Sequence, residues 1–161
     1  RAILKAHHVT DRRVFVADSF EGLPPPDVKK YPHDQGSELH RFDVLAVSLE
    51  EVQQRFARYG LLDHQVQFLK GWFRDTLPQA PVERLALLRL DGDLYESTMD
   101  ALEALYPKVS VGGYVIVDDY QDIPACRQAV EDYRGAQGID EPIQAVDWTA
   151  VFWKKAKSQK Q

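Results

Sequence analysis

Cysteine occurs once in this chain of 161 residues, as Cys126, and methionine once, as Met99. A single cysteine rules out an internal disulfide and a cysteine-rich zinc site, so a reducing, cytoplasmic compartment is expected. No apolar run approaches the length of a membrane span, and Arg1 to Thr10 lack the apolar block of a signal peptide. Positive charge is not in excess either: 20 Lys and Arg against 25 Asp and Glu give a formal charge of -5, interspersed until the basic KKAKSQKQ at the end. The phosphate-seeking surface of a nucleic-acid binder is therefore absent. Neither nucleic acid nor membrane is an expected partner.

What is present is a hydrophobic fraction of 44%, with 3 Trp, 7 Tyr and 7 Phe. That supplies one core, so a single domain over residues 1–161 is expected. Short runs rich in Val, Ile and Leu alternate with amphipathic stretches, the pattern of a mostly parallel sheet covered by helices. The runs RVFVAD (13–18), VQFLKG (66–71), LALLRLD (85–91) and YVIVDD (114–119) read as buried strands. Ser48 followed by Glu51 opens a helix that stops at Gly60. A second helix spans 97–106 and is closed by Pro107, and Pro124 opens a third that stops near Gly138. PIQAVDW and AVFWKK, joined by a tight turn, predict a C-terminal antiparallel hairpin. Trp148 and Trp153 within it read as packing residues.

Residues 23–47 have no period and contain three consecutive prolines; long irregular segments of this kind are lids or disordered. His33 and His40 lie there and are the histidines placed to touch a substrate, whereas His7, His8 and His64 read as surface residues. Residues 155–161 read as a solvated tail. The chain opens on Arg rather than Met, within a helical stretch, so it is expected to be a fragment.

In an open parallel sheet, ligands bind beyond the carboxyl ends of the strands. Here those ends are acidic: Asp18 closes the first run, Asp91 the third, and Asp118 with Asp119 the fourth, with Asp93 two residues past Asp91. Each alone could be a turn former or a helix cap. Together they would repel one another unless a cation neutralises them or some are protonated. Oxygen donors without nearby His or Cys favour a hard ion, magnesium first, then calcium or manganese. Asp18 has two readings: a ligand for the ribose hydroxyls of an adenosine-containing cofactor, or a cap for the loop that starts at Ser19. Trp72 and Phe73, following Gly71, could wall an adenine ring or belong to the core.

The stretches ADSFEGLP (17–24), GWFRDTLP (71–78), LLRLDGDLYESTMDALEALYPKVSVGGYVIVDDY (87–120) and VDWTAVFWK (146–154) closely resemble the macrocin O-methyltransferase family, whose members methylate sugar hydroxyls on macrolide and aminocoumarin antibiotics. The resemblance runs from Val14 to Lys154. It implies an α/β, Rossmann-like class I methyltransferase fold that uses S-adenosylmethionine and Mg2+ on a small-molecule hydroxyl acceptor. Asp91, Asp118 and Asp119 would be the metal ligands, Asp93 the general base, and Asp18, Ser19, Gly71, Trp72 and Phe73 the cofactor-binding residues. The segment from Leu23 onward would be the family's lid, and a homo-oligomer is the expected assembly. One departure stands out: the glycine-rich first βα unit that embraces the cofactor's methionine part is absent, which predicts a gap between the Val14 and Leu85 strands.

Two other readings stand beside this one. A haloacid-dehalogenase-like phosphotransferase also places D-x-D after a strand, but wants Thr or Val where Tyr95 stands, and Lys108 is its only candidate lysine. A non-catalytic remnant of the methyltransferase fold is the other.

Overall fold

The computed structural model describes residues 1–157 and divides the chain into two compact units. One consists of Arg1–Pro25 and Glu38–Thr76, the other of Pro26–Ser37 and the chain from Leu77 onward. No helix among the described residues is long and apolar enough to cross a membrane.

The first unit holds α1 (Ala2–Ala6), β1 (Val14–Asp18), α2 (Leu49–Arg58), β2 (Val66–Lys70) and α3 (Phe73–Thr76). Strands β1 and β2 pair in parallel, from Val14 opposite Val66 to Asp18 opposite Lys70. Phe68 of β2 meets Phe20 and Phe56, with ring centroids 6.3 and 5.8 Å away. The Ser48 hydroxyl accepts the Glu51 N–H at 3.2 Å, which is the N-terminal cap legible in the sequence. Helix α3 was not expected. It closes on the Trp72 carbonyl, which accepts from both the amide and the hydroxyl of Thr76.

The second unit holds β3 (Leu85–Leu90), α4 (Tyr95–Leu105), β4 (Val109–Val117), α5 (Pro124–Gln137), β5 (Gln144–Ala145) and β6 (Val151–Lys154). Its sheet has the order β3-β4-β6-β5, parallel between β3 and β4 and antiparallel thereafter, so the expected terminal hairpin is present. Helices α4 and α5 pack on each other, and the core gathers Leu102, Val115, Ala129, Val130 and Trp153. Tyr106 stands edge-on to Tyr133 at 5.5 Å and lies 6.2 Å from Trp153. Gly138, at φ 62°, ends α5 in the left-handed conformation that glycine adopts without a Cβ clash.

Several boundaries and environments differ from expectation for identifiable reasons. Helix α4 starts at Tyr95 rather than at residue 97, because the Asp34 carboxylate takes the N–H groups of Tyr95 and Glu96. Trp148 is 80% exposed, not packed: the Asp147 carboxylate accepts from Thr149 and Ala150 N–H and builds a turn that carries Trp148 at its tip. Lys155, expected in a solvated tail, is buried, with its ammonium 3.0 Å from the Tyr106 carbonyl and 4.6 Å from the Tyr106 ring centre. The remainder of that tail, 158–161, lies outside the described residues.

Strand β4 begins at Val109, five residues before the apolar run at 114. Leu85 pairs with Val109 but Leu87 pairs with Tyr114, so residues 110–113 bulge out of the ladder. Gly113 permits this: a Cβ there would lie 2.9 Å from the Ser110 carbonyl oxygen and 3.0 Å from that of Ala86, both backbone atoms. We expect Gly113→Ala to cost about 1–3 kcal/mol, in the range of other overpacking changes. A lowered denaturant midpoint with unchanged slope would show it, and an unchanged midpoint would mean that the bulge yields freely.

Candidate active site

The register of β3 and β4 determines where their acidic ends fall. Leu90 is opposite Val117, and the Asp118 N–H donates to the Leu90 carbonyl at 2.9 Å, so Asp91 and Asp118 follow side by side. Asp91, Asp93 and Asp119 each offer a carboxylate oxygen, and these oxygens lie within 4.8 Å of one another. Asp118 is adjacent but engaged differently, since its carboxylate is ion-paired with the Arg89 guanidinium. Arg89 also reaches Asp91 at 3.2 Å. Of Asp91, Asp93, Asp118 and Asp119, three thus form one oxygen cluster and the fourth, Asp118, shares a cation with it.

The Asp91–Gly92–Asp93 turn is conformationally unusual. Asp93 has φ 56°, and the Leu94 N–H donates to the Gly92 carbonyl at 2.6 Å, which makes Asp93 the centre of a γ-turn. Asp and Asn tolerate positive φ better than other residues with a Cβ, but it still costs about 1–3 kcal/mol. The reward is direction: the turn brings the Asp93 carboxylate back to the Asp91 and Asp119 oxygens.

Electrostatics follow from this crowding. Burial, and then the charges of Asp93, Asp91, Asp118 and Asp122, push Asp119 up to about 7. One Asp119 oxygen, Oδ2, is buried with no hydrogen-bond partner among the described residues. Asp91 is raised by burial and by Asp118, with Arg89 opposing, and Asp93 is raised chiefly by burial. Clustered carboxylate oxygens that repel one another, one of them buried without a donor, suit a divalent cation with oxygen ligands. Arg89 and Asp122 were not singled out in the sequence. The alternation that puts Arg89 on the same side as Asp91 is the signal that could have found the arginine.

The residues assigned to a cofactor lie in the other unit, around the carboxyl ends of β1 and β2. The Gly71 N–H donates to the Asp18 carbonyl at 2.9 Å, which holds the two strand ends together. Gly71 has φ 137°, and a Cβ would come within 2.7 Å of the Thr76 methyl. Asp18 is exposed, and its Oδ1 accepts the Phe20 N–H at 2.6 Å, so the capping role is real. Ser19 is spent on the turn, donating to the Gly22 carbonyl and accepting from Glu21 N–H. Trp72 and Phe73 are half-exposed, between the wall and core alternatives. In the irregular segment, His33 stacks on Tyr95 at 5.0 Å, and His40 is half-buried.

The elevated Asp119 group has a consequence for metal-free stability. Its carboxyl titrates near 7 when folded and near about 3.9 when unfolded, so the native state holds more protons across that interval. Stability should therefore fall as pH rises from about 4 to about 7, and level off above. Thermal melts in chelator at pH 5 and pH 8 should show this fall, and Asp119→Asn should reduce it. An equal fall in both proteins would mean that the cluster does not carry the strain described.

A model of the macrocin-O-methyltransferase (TylF) family matches residues 1–155. The chain is 60% identical over 155 residues to an 8-demethyl-8-(2,3-dimethoxy-α-L-rhamnosyl)-tetracenomycin-C 4'-O-methyltransferase of Streptomyces olivaceus, covering 96% of this chain and 59% of that protein. It is 55% identical over 158 residues to demethyldecarbamoylnovobiocin O-methyltransferase of Streptomyces niveus, covering 98% of this chain and 60% of the other. Similarity to mycinamicin III 3''-O-methyltransferase of Micromonospora griseorubida is 52% over 159 residues, 97% of this chain and 62% of that one. The chain thus spans about three-fifths of the length of these relatives. Among solved structures, the O-methyltransferase NovP superposes with a TM-score of 0.94 at 55% identity, covering 96% of this chain and 64% of that one. The calicheamicin methyltransferase CalS11 shares the fold at a TM-score of 0.71 and 23% identity, over 95% of this chain and 65% of that one. The family match removes the ground for a phosphotransferase reading. With its class I methyltransferase fold and a match along nearly its whole length, this chain belongs to the macrocin-O-methyltransferase family.

Proposed function

We propose that the chain is part of one methyltransferase domain, an S-adenosylmethionine-dependent O-methyltransferase that requires Mg2+ and acts on a sugar hydroxyl of a natural product such as a macrolide or aminocoumarin. The observation that carries this reading is the meeting of the Asp91, Asp93 and Asp119 carboxylate oxygens within 4.8 Å at the ends of β3 and β4. The three curated relatives support the acceptor class, since each is named for a methylation of an antibiotic or its precursor.

Asp91, Asp118 and Asp119 would hold the metal, Asp118 being the one that now pairs with Arg89. Magnesium, when bound, neutralises the cluster and lowers the pKa of a nearby hydroxyl. Asp93, itself within the cluster, is then the base that removes the acceptor proton as the oxygen takes the methyl group of S-adenosylmethionine and S-adenosylhomocysteine leaves. Asp18, at the end of β1, keeps Oδ2 for the cofactor ribose while Oδ1 holds the Phe20 amide. Gly71, Trp72 and Phe73 line the same strand ends, and Ser19 supports Asp18 through the turn. S-adenosylmethionine supplies a methyl group that is already activated, so the protein contributes mainly position and electrostatics.

The test is transfer of labelled methyl to the substrates named by the three relatives, with magnesium and with chelator. We expect transfer to a sugar hydroxyl of at least one, its loss in chelator, and a fall in kcat of about 100-fold or more for Asp93→Asn, within the usual range for a general base. Asn accepts the positive φ, so that variant keeps the turn. Undiminished transfer in chelator would remove the metal from the mechanism. Saturable S-adenosylhomocysteine binding without any transfer would leave a non-catalytic form of the fold.

A further inference from the structure

Helix α4 follows directly on the Asp91–Gly92–Asp93 turn, yet it has no cap of its own. Its N-cap residue is Leu94, which offers no side-chain acceptor. The first N–H groups of a helix have no partner inside it and need one from elsewhere. Here the partner comes from 61 residues upstream. Asp34, 1% exposed, accepts the Tyr95 N–H through Oδ1 at 2.6 Å and the Glu96 N–H through Oδ2 at 3.1 Å. Both carboxylate oxygens are used, one on each amide.

The contact is reinforced around Tyr95. The His33 ring stacks on the Tyr95 ring at 5.0 Å and 22°, and Tyr31 lies 6.0 Å from it on a tilted plane. The Tyr95 hydroxyl donates to Asp132 of α5 at 3.0 Å. Tyr95 is therefore fixed at its amide and ring by residues 31–34 and at its hydroxyl by α5. Pro32 opens the 3-10 turn that carries Asp34, and the Ser37 N–H closes back on the Asp34 carbonyl at 3.2 Å. Two residues before Tyr95 stands Asp93 in its positive-φ turn, a conformation that persists only where the flanking structure over-determines it. Strand β3 holds one flank of that turn, and Asp34 holds the other.

We propose that Asp34 is a positioning residue for Asp93, tying the irregular segment to the direction of the base through the first turn of α4. The inference rests on the reading of Asp93 as the base. Because the two Asp34 oxygens each accept one backbone N–H, substitution by alanine removes both bonds at once.

The experiment is a double-mutant cycle on the labelled-methyl assay, using the best of the three acceptors, together with amide exchange of residues 90–96 read by mass spectrometry. Asp34→Ala should lower kcat at least about tenfold with KM for the acceptor within about twofold, since only the orientation of a reacting group changes. Exchange at Tyr95 and Glu96 should quicken. Asp34→Asn, which keeps one acceptor oxygen, should fall between, and it serves if the alanine variant fails to fold. In an Asp93→Asn background Asp34→Ala should cost no more than about twofold, because residues acting through one another are not additive. The same loss in both backgrounds, or an unchanged kcat despite faster exchange, overturns the role of Asp34. Full activity of Asp93→Asn instead overturns the base on which it rests, and an unaltered chain that transfers no methyl overturns both.

Discussion

Carboxylates brought together at the ends of two parallel strands repel one another, and much of the second unit is arranged around that repulsion. The β3–β4 register leaves no alternative: with Leu90 beside Val117, the next residues are both aspartates. The protein answers with two devices of its own. Burial and the neighbouring charges push the Asp119 carboxyl up to about 7, and the Arg89 guanidinium lies against Asp91 and Asp118. A proton and an arginine are the charges a divalent ion would replace under the proposed reading.

The same constraint explains the local geometry. Asp93 could point into solvent from an ordinary turn, but the γ-turn at Gly92–Leu94 bends it back toward Asp119. Strain of that kind has to be held from both sides. Strand β3 is fixed by its ladder with β4, and helix α4 is packed on α5 and capped by Asp34. A segment that looks irregular in sequence thus has a defined anchor: residues 31–34 are tied to the helix that begins two residues past Asp93.

The strands were legible as continuous Val, Ile and Leu runs, and the ends of β1 to β3 fell within a residue of expectation, but the Leu87 face of β3 is exposed and not buried as expected. The caps at Ser48 and Gly138 and the helix start at Pro124 were legible because their signals lie within a few residues. What was hidden depends on distant pairing. The 110–113 bulge exists only against β3, so nothing in SVGG announces that β4 starts at Val109. Asp34 caps a helix 61 residues away, and no local pattern marks it. Trp148 and Trp153 have similar neighbours, but Asp147 builds a turn that exposes one while β6 buries the other. At the site, Asp118 and Asp119 looked equivalent. Asp119 offers an oxygen to the cluster with Asp91 and Asp93, whereas Asp118 is paired with Arg89.

The central claim is that these carboxylates are built for a divalent cation, and calorimetric titration with magnesium in two buffers of different ionisation enthalpy tests it most directly. A carboxyl that titrates at about 7 must give up its proton when the ion binds. Binding at pH 7 should therefore release a fraction of a proton per ion, with the release vanishing by about pH 9 where the group is already ionised. Heats that are independent of buffer at pH 7, or no saturable binding by the folded chain, would contradict the account.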